Sequence, residues 1–241
     1  MLAVSRDGDV VTIELQRPQR RNALNDELVA ALREAVTTAA TDARVIVLTG
    51  QGAIFSAGAD LSGIYSREFL DSLRELLRTI ETVPVPVIAA INGGALGAGV
   101  QLALASDLRV MSPDAYIAIP AAKLGISVDG WTIRRLAALI GGGPARTVLM
   151  GAESVTASDA YTFGFANRIG TLADAQEWAK SIAQLAPLSL RHMKLVLNDD
   201  GTRAEGSAEQ HAALEAAWLS ADAGEARQAR EQKRAAKFVG R

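Results

Sequence analysis

The chain contains no cysteine. Disulfides, thiolate nucleophiles and Cys-ligated zinc are therefore excluded. Histidine is scarce as well. His192 and His211 are the only two, and neither falls at a metal or triad spacing, so no metal is expected. Charge of one sign is not in excess. Lys and Arg number 25 against 27 Asp and Glu, leaving a net charge of −2 and no basic field to attract nucleic acid. No apolar run approaches the ~20 residues that a membrane span needs. The start of the chain, MLAVSRDGDVV, is interrupted by Arg6, Asp7 and Asp9, so it lacks the apolar core of a signal peptide and a cytoplasmic location is expected. What is present is an ordered chain. Its 241 residues are 49% apolar and 22% charged, enough to bury a substantial core.

Strand and helix signals alternate over the first three quarters. Val11, Ile13 and Leu15 alternate with Thr12, Glu14 and Gln16, which predicts a strand, and Asp7-Gly8 before it suits a tight hairpin turn. Asn25 reads as an N-cap followed by Leu28, Leu32, Ala35 and Val36 at helical spacing. RVIVLTG (44–50) and PVIAAING (86–93) are short, continuously apolar runs of the kind buried on both faces of a parallel sheet. A helix with Phe69, Leu73, Leu76, Leu77 and Ile80 on one face lies between them. Further helices are predicted near 145–150 and 174–186. Such alternation argues for an α/β fold with its ligand at the carboxyl ends of strands. From about 188 strand signals vanish and Ala-rich charged segments run to the end. A core over 1–187 and a helical region over 188–241 are expected.

Two loops are rich in glycine, GQGAIFSAGADL (50–61) and NGGALGAGVQL (92–102). Glycine permits positive φ and close backbone approach. The second loop leads into a helix, whose first N–H groups have no internal partner. One N–H from each loop, converging on one oxygen, would form an oxyanion hole. The plainer reading is that these glycines serve tight turns and close packing. A dinucleotide G-x-G-x-x-G fails because Leu102 takes the last position, no G-K-[ST] follows, and no G-x-S-x-G is present.

RNALN (21–25), FSAGADL (55–61), INGGALGAG (91–99) and IPAAKLGISVDG (119–130), in this order and spacing, resemble the crotonase superfamily of enoyl-CoA hydratases and isomerases. EQKRAAKF (231–238) is similar to that family's C-terminal signature. The resemblance is closest to actinobacterial enoyl-CoA hydratase-like members. It implies a crotonase-like spiral of strand–strand–helix units with a C-terminal helical trimerisation region. The assembly implied is a homotrimer or a dimer of trimers. The ligand is an acyl-CoA or enoyl-CoA thioester in fatty-acid metabolism, with no other cofactor. The implied oxyanion donors are the N–H groups of Ala59 and Ala98, the latter replacing the usual Gly. Arg21, Ala23, Leu24, Ala57, Asp60, Leu61, Gly97, Pro120, Ala121, Trp131 and Lys233 are implied to contact the ligand. Arg17 and Arg20 lie beside them, and Tyr65 and Phe69 follow where relatives line the acyl pocket, although core roles are the more common for such residues. Lys233 matches a lysine that reaches the CoA of a neighbouring subunit, and Arg230 stands where an aromatic is usual.

The departures from the pattern concern proton transfer. Hydratases of this family use two glutamates on the added water. Gln101 stands at the first position and Ala121 at the second. A glutamine amide takes no proton near neutral pH and alanine bonds no water, while each general acid or base contributes roughly 10²–10⁴ in rate. Hydration that is weak or absent is expected. Asp129 occupies the position of the working aspartate in some isomerases and dehalogenases of the family, and burial beside Trp131 is what a base role would require. It also precedes GWTIRRL, where an N-cap role serves equally. Two readings remain open. One is an acyl-CoA carrier or sensor that delivers its thioester to a protein partner. The alternative is an active hydratase or isomerase-type enzyme, with Gln101 orienting water or Asp129 as base.

Overall fold

In the computed structural model, which describes residues 1–60 and 66–240, Asp7-Gly8 makes the expected turn. β1 (Leu2–Asp7) pairs antiparallel with β2 (Val10–Leu15), and Gly8 takes a φ of 58°. A 3-10 turn (Pro18–Arg20) follows. α1 (Asp26–Ala39) is capped by Asn25, whose side chain accepts the Leu28 amide at 3.1 Å, and it buries Leu28, Leu32 and Val36.

The chain continues through β3 (Val45–Gly50), β4 (Ile54–Ser56), α2 (Arg67–Thr82), β5 (Val87–Ile91), β6 (Gly94–Leu96), α3 (Ala98–Ala105), β7 (Leu108–Met111) and β8 (Tyr116–Ala118). A second 3-10 turn (Ala121–Leu124) precedes α4 (Gly130–Ile140) and α5 (Gly142–Leu149). Then come β9 (Ser154–Thr156), α6 (Ala157–Thr162), β10 (Arg168–Ile169), α7 (Leu172–Ala183), α8 (Pro187–Asn198), α9 (Ala208–Leu219) and α10 (Ala221–Glu231).

Two sheets result. The larger has the order β1-β2-β3-β5-β7-β10, parallel from β2 onward, and the smaller has the order β4-β6-β8-β9. Every residue of β3 and β5 is buried, as their unbroken apolar runs imply. The polar face of β2 is covered in part by α7, where Gln176 donates to the Thr12 hydroxyl at 3.0 Å, while Glu14 stays half-buried. The smaller sheet was not legible in the sequence, since its strands are each three residues long and β6 lies inside the glycine cluster. Gly94 is required there because a Cβ would lie 2.8 Å from the Tyr116 ring.

The chain divides into two compact units. One is Met1–Ala118 with Val155–Asp200, and the other is Ile119–Ser154 with Gly201–Arg241. This division differs from a cut at 187, because α8 belongs with the first unit. Its Lys194 is tied there by an ion pair to Asp107 at 2.8 Å and by bonds to the carbonyls of Ile80 and Val85, both at 2.9 Å. Asp107 also accepts the Val87 amide at 2.8 Å. Burial pushes the Asp107 carboxyl up and the Lys194 ammonium down from their usual values, and each charge opposes the other's shift. Removing one partner strands the other charge. Lys194→Met is therefore expected to lower the unfolding free energy by about 3–5 kcal/mol in urea denaturation. An unchanged midpoint would show that the pair does not anchor α8.

Candidate functional site

The first glycine-rich loop is assembled around Asn22. Its side chain is fully buried, accepts the Arg17 amide at 3.0 Å, and donates to the carbonyls of Gln51 and Ile54 at 3.0 and 2.8 Å. Its own carbonyl accepts the Ser56 hydroxyl at 2.8 Å, and Ser56 Oγ in turn accepts the Gly58 amide at 3.2 Å. Arg21 and Asn22 both adopt left-handed φ, 52° and 53°. Asparagine tolerates that region better than most residues. From this corner the chain runs beside residues 57–60. Ala57 N donates to Arg21 O at 2.9 Å, Leu24 N to Gly58 O at 2.8 Å, and Asp60 N to Leu24 O at 2.7 Å, leaving Leu24 and Ala59 as a parallel bridge.

The second loop meets the first at Gly58. A Cβ on Gly58, whose φ is 89°, would lie 2.6 Å from Leu96 O and 3.2 Å from Ala98 N. A Cβ on Gly99 would lie 2.6 Å from Ser56 O. Glycine at these two positions is what lets backbone touch backbone. Gly97, at φ 49°, starts α3 and donates its amide to Ala118 O at 2.9 Å. Ala98 is the first helical residue and Ala59 the residue after Gly58. Neither amide donates a hydrogen bond within the protein among the described residues. Ala98 is buried and Ala59 half-buried. An unengaged amide at each side of one close approach has the character of an anion or carbonyl-oxygen site.

Other expected residues take structural places in this unit. Leu24 and Phe69 are core residues, 0% and 1% exposed. Asp60 turns its carboxylate to Arg17 at 3.5 Å, and Arg17 also donates to Ala23 O. Arg17 thus braces the loop from within, whereas Arg20 and Arg21 are exposed. Gln101 is buried one turn into α3, its backbone N–H donating to Gly97 O at 3.1 Å. Leu61 and Tyr65 lie outside the described residues.

Pro120, Ala121, Asp129, Trp131 and Lys233 fall in the second unit. Pro120 and Ala121 open the second 3-10 turn, and Ala121 O accepts the Ile126 amide at 3.1 Å. Asp129 is the N-cap of α4. Oδ1 accepts the Thr132 amide at 3.1 Å and Oδ2 accepts the Thr132 hydroxyl at 2.8 Å. Trp131 is buried, with the Arg203 guanidinium 4.1 Å from its ring centroid. Lys233 is exposed just beyond α10. Among the described residues no group of three His, Asp or Glu could hold a metal, and no helix is long and apolar enough to cross a membrane.

The family model described as enoyl-CoA hydratase/isomerase matches residues 5–240. The chain belongs to the enoyl-CoA hydratase/isomerase family. It is 52% identical to "Probable enoyl-CoA hydratase echA6" of Mycobacterium leprae, each chain being covered in full. It is 35% identical to the 2,3-dehydroadipyl-CoA hydratase of Escherichia coli over 81% of both chains. Among solved structures, an enoyl-CoA hydratase/isomerase from Pseudoalteromonas atlantica superposes with a TM-score of 0.87 at 26% identity, covering 99% of both chains. The α/β architecture of parallel sheets and helices is that of the crotonase fold.

Asn22, Ser56 and Arg17 hold the first loop together, and the sequence pattern gives little notice of the first two. The available signal was an asparagine inside RNALN, a residue type suited to left-handed φ. Gly58→Ala should cost about 1–3 kcal/mol in urea denaturation, from φ strain and the contact with Leu96 O. A fully stable Gly58→Ala variant would mean that the two loops separate without penalty.

Proposed function

We propose that the protein binds an acyl-CoA or enoyl-CoA thioester, in fatty-acid metabolism, with the carbonyl oxygen accepting the amides of Ala59 and Ala98. The observation that carries this reading is the pair of unengaged amides on either side of the Gly58 contact. Family membership supplies the ligand class. Thioester polarisation needs only backbone donors, so alanine in place of glycine at 98 leaves it intact. Removing one such donor typically costs ~10²–10³ in rate.

Hydration is the weaker part of the proposed activity. It requires groups that activate water and deliver its proton, and Gln101 and Ala121 supply neither base nor acid. Asp129 is the other candidate base, and both its oxygens already accept hydrogen bonds from Thr132. That supports a cap over a base. The reading is therefore an acyl-CoA binder that retains its oxyanion site and hands the thioester on. Lys233 would contact the CoA phosphates, and residues 188–241 would contribute to a homotrimer or a dimer of trimers.

The test is titration with saturated and enoyl-CoA thioesters alongside the loss of the conjugated-thioester absorbance. Binding without turnover is expected. Turnover at the rate of glutamate-bearing relatives would overturn the carrier reading, and its abolition by Asp129→Asn would instead make that aspartate the base. Introducing Gln101→Glu and Ala121→Glu together is expected to raise hydration by about 10²-fold or more, since each carboxylate supplies general acid–base help.

A further inference from the structure

The end of the chain is folded back on α10 by two of that helix's own carboxylates. Arg234 grips Glu225 with its two terminal guanidinium nitrogens, Nη1 to Oε1 at 2.5 Å and Nη2 to Oε2 at 2.9 Å. The Lys237 amide donates to Glu225 Oε1 at 2.9 Å. The amides of Val239 and Gly240 donate to the two oxygens of Asp222 at 2.7 and 2.9 Å. Asp222 and Glu225 are three residues apart, on one face of the helix. Between them they accept three backbone amides and one guanidinium. The Arg234 bonds, with the Lys237 amide, hold the Glu225 carboxyl down at about 2, so it is charged at any ordinary pH.

Lys233 sits at the pivot of this fold-back. Its amide donates to Arg230 O at 3.1 Å, the Arg234 amide donates to Ala229 O at 2.9 Å, and its φ is 54°. Glycine is the usual residue where a helix ends in that conformation. Among the described residues only Arg21, Asn22, Ala152 and Lys233 are non-glycine residues with positive φ, and two of those build the corner of the first loop. A strained lysine on an otherwise solvated helix end is a candidate for function rather than for packing. Chain ends normally fray. This one is pinned on both sides of Lys233.

The other side of α10 is also fixed. A Cβ on Gly125, whose φ is 65°, would lie 2.6 Å from Asp222 O, and Trp218 Nε1 donates to Ser127 O at 3.0 Å. The helix that carries the two clamping carboxylates is thereby seated against the turn that follows Ala121.

We infer that Asp222 and Glu225 are positioning residues that clamp the C-terminal segment, so that Lys233 is pre-organised for a phosphate of coenzyme A. The inference rests on the reading that Lys233 meets the CoA phosphates. A flexible lysine loses rotamer freedom and drags a frayed terminus into order when it binds, and a clamped one has already met that cost.

The experiment compares two probes on the full-length protein by calorimetric titration. One is a fatty acyl-CoA, and the other is the acyl-pantetheine of the same chain length, which lacks the nucleotide phosphates. Glu225→Gln keeps an acceptor for the Lys237 amide but breaks the ion pair. It is expected to weaken acyl-CoA binding about threefold to tenfold, the cost of ordering one flexible side chain, and to leave acyl-pantetheine binding unchanged. Lys233→Met should weaken acyl-CoA binding at least as much, and adding Glu225→Gln to it should weaken it no further. Equal loss for both probes would make Glu225 merely structural and overturn the inference. Loss in Lys233→Met but not in Glu225→Gln would also overturn the clamp, while leaving the lysine's contact intact. Unchanged acyl-CoA affinity in Lys233→Met would instead sink the reading of that lysine, and the clamp with it. Should Glu225→Gln fold poorly, Arg234→Lys, which keeps the charge and gives up the fork, carries the same comparison.

Discussion

Two stretches of backbone approach closer than any side chain would allow, and the first unit is organised around that approach. Residues 57–60 are held on one side by the hydrogen bonds of Arg21, Leu24 and Ala57, and on the other they press against Leu96 and the start of α3. Gly58 and Gly99 make the contact sterically feasible. Asn22 makes it rigid, because a buried amide with several partners is costly to displace. The consequence is electrostatic. The Ala59 and Ala98 amides flank that contact without an internal acceptor among the described residues, and a backbone donor is insensitive to the identity of the residue that carries it.

Proton transfer depends on side chains, and at 101 and 121 the side chains present are an amide and a methyl group. Asp129 keeps a carboxylate in the same stretch, but α4 uses it to satisfy its own first turn. Polarising a carbonyl and activating water are separable tasks, and the first needs only backbone donors.

Two ion pairs elsewhere in the chain are reinforced by backbone hydrogen bonds. Lys194 and Asp107 answer each other and also bind the backbone of α2, the following loop and β5. Such a pair contributes little net stability compared with an apolar replacement, but it fixes which surface α8 lies on. Glu225 and Arg234 are more exposed, so their ion pair alone is weak. Their significance lies in the backbone amides that the same helix face collects, which convert a terminal segment into a defined surface.

The strands β2, β3 and β5, the helices α1 and α2, and the cap at Asn25 were legible in the sequence, because period and composition are local properties. So was the pair of glycine-rich loops, and through the resemblance of RNALN, FSAGADL and INGGALGAG the family itself. The second sheet was not legible, since three-residue strands such as β4 and β8 carry no period and exist only through their neighbours. The inward turn of Arg17, the assignment of α8 to the first unit and the fold-back beyond Lys233 depend on groups far apart in sequence or on backbone carbonyls that no residue letter records. Local pattern determined which residues form elements and which loops are rich in glycine. Only the tertiary structure decided which amides are left without a partner and which carboxylates are already taken, because hydrogen-bond satisfaction is settled by what lies across the space between elements.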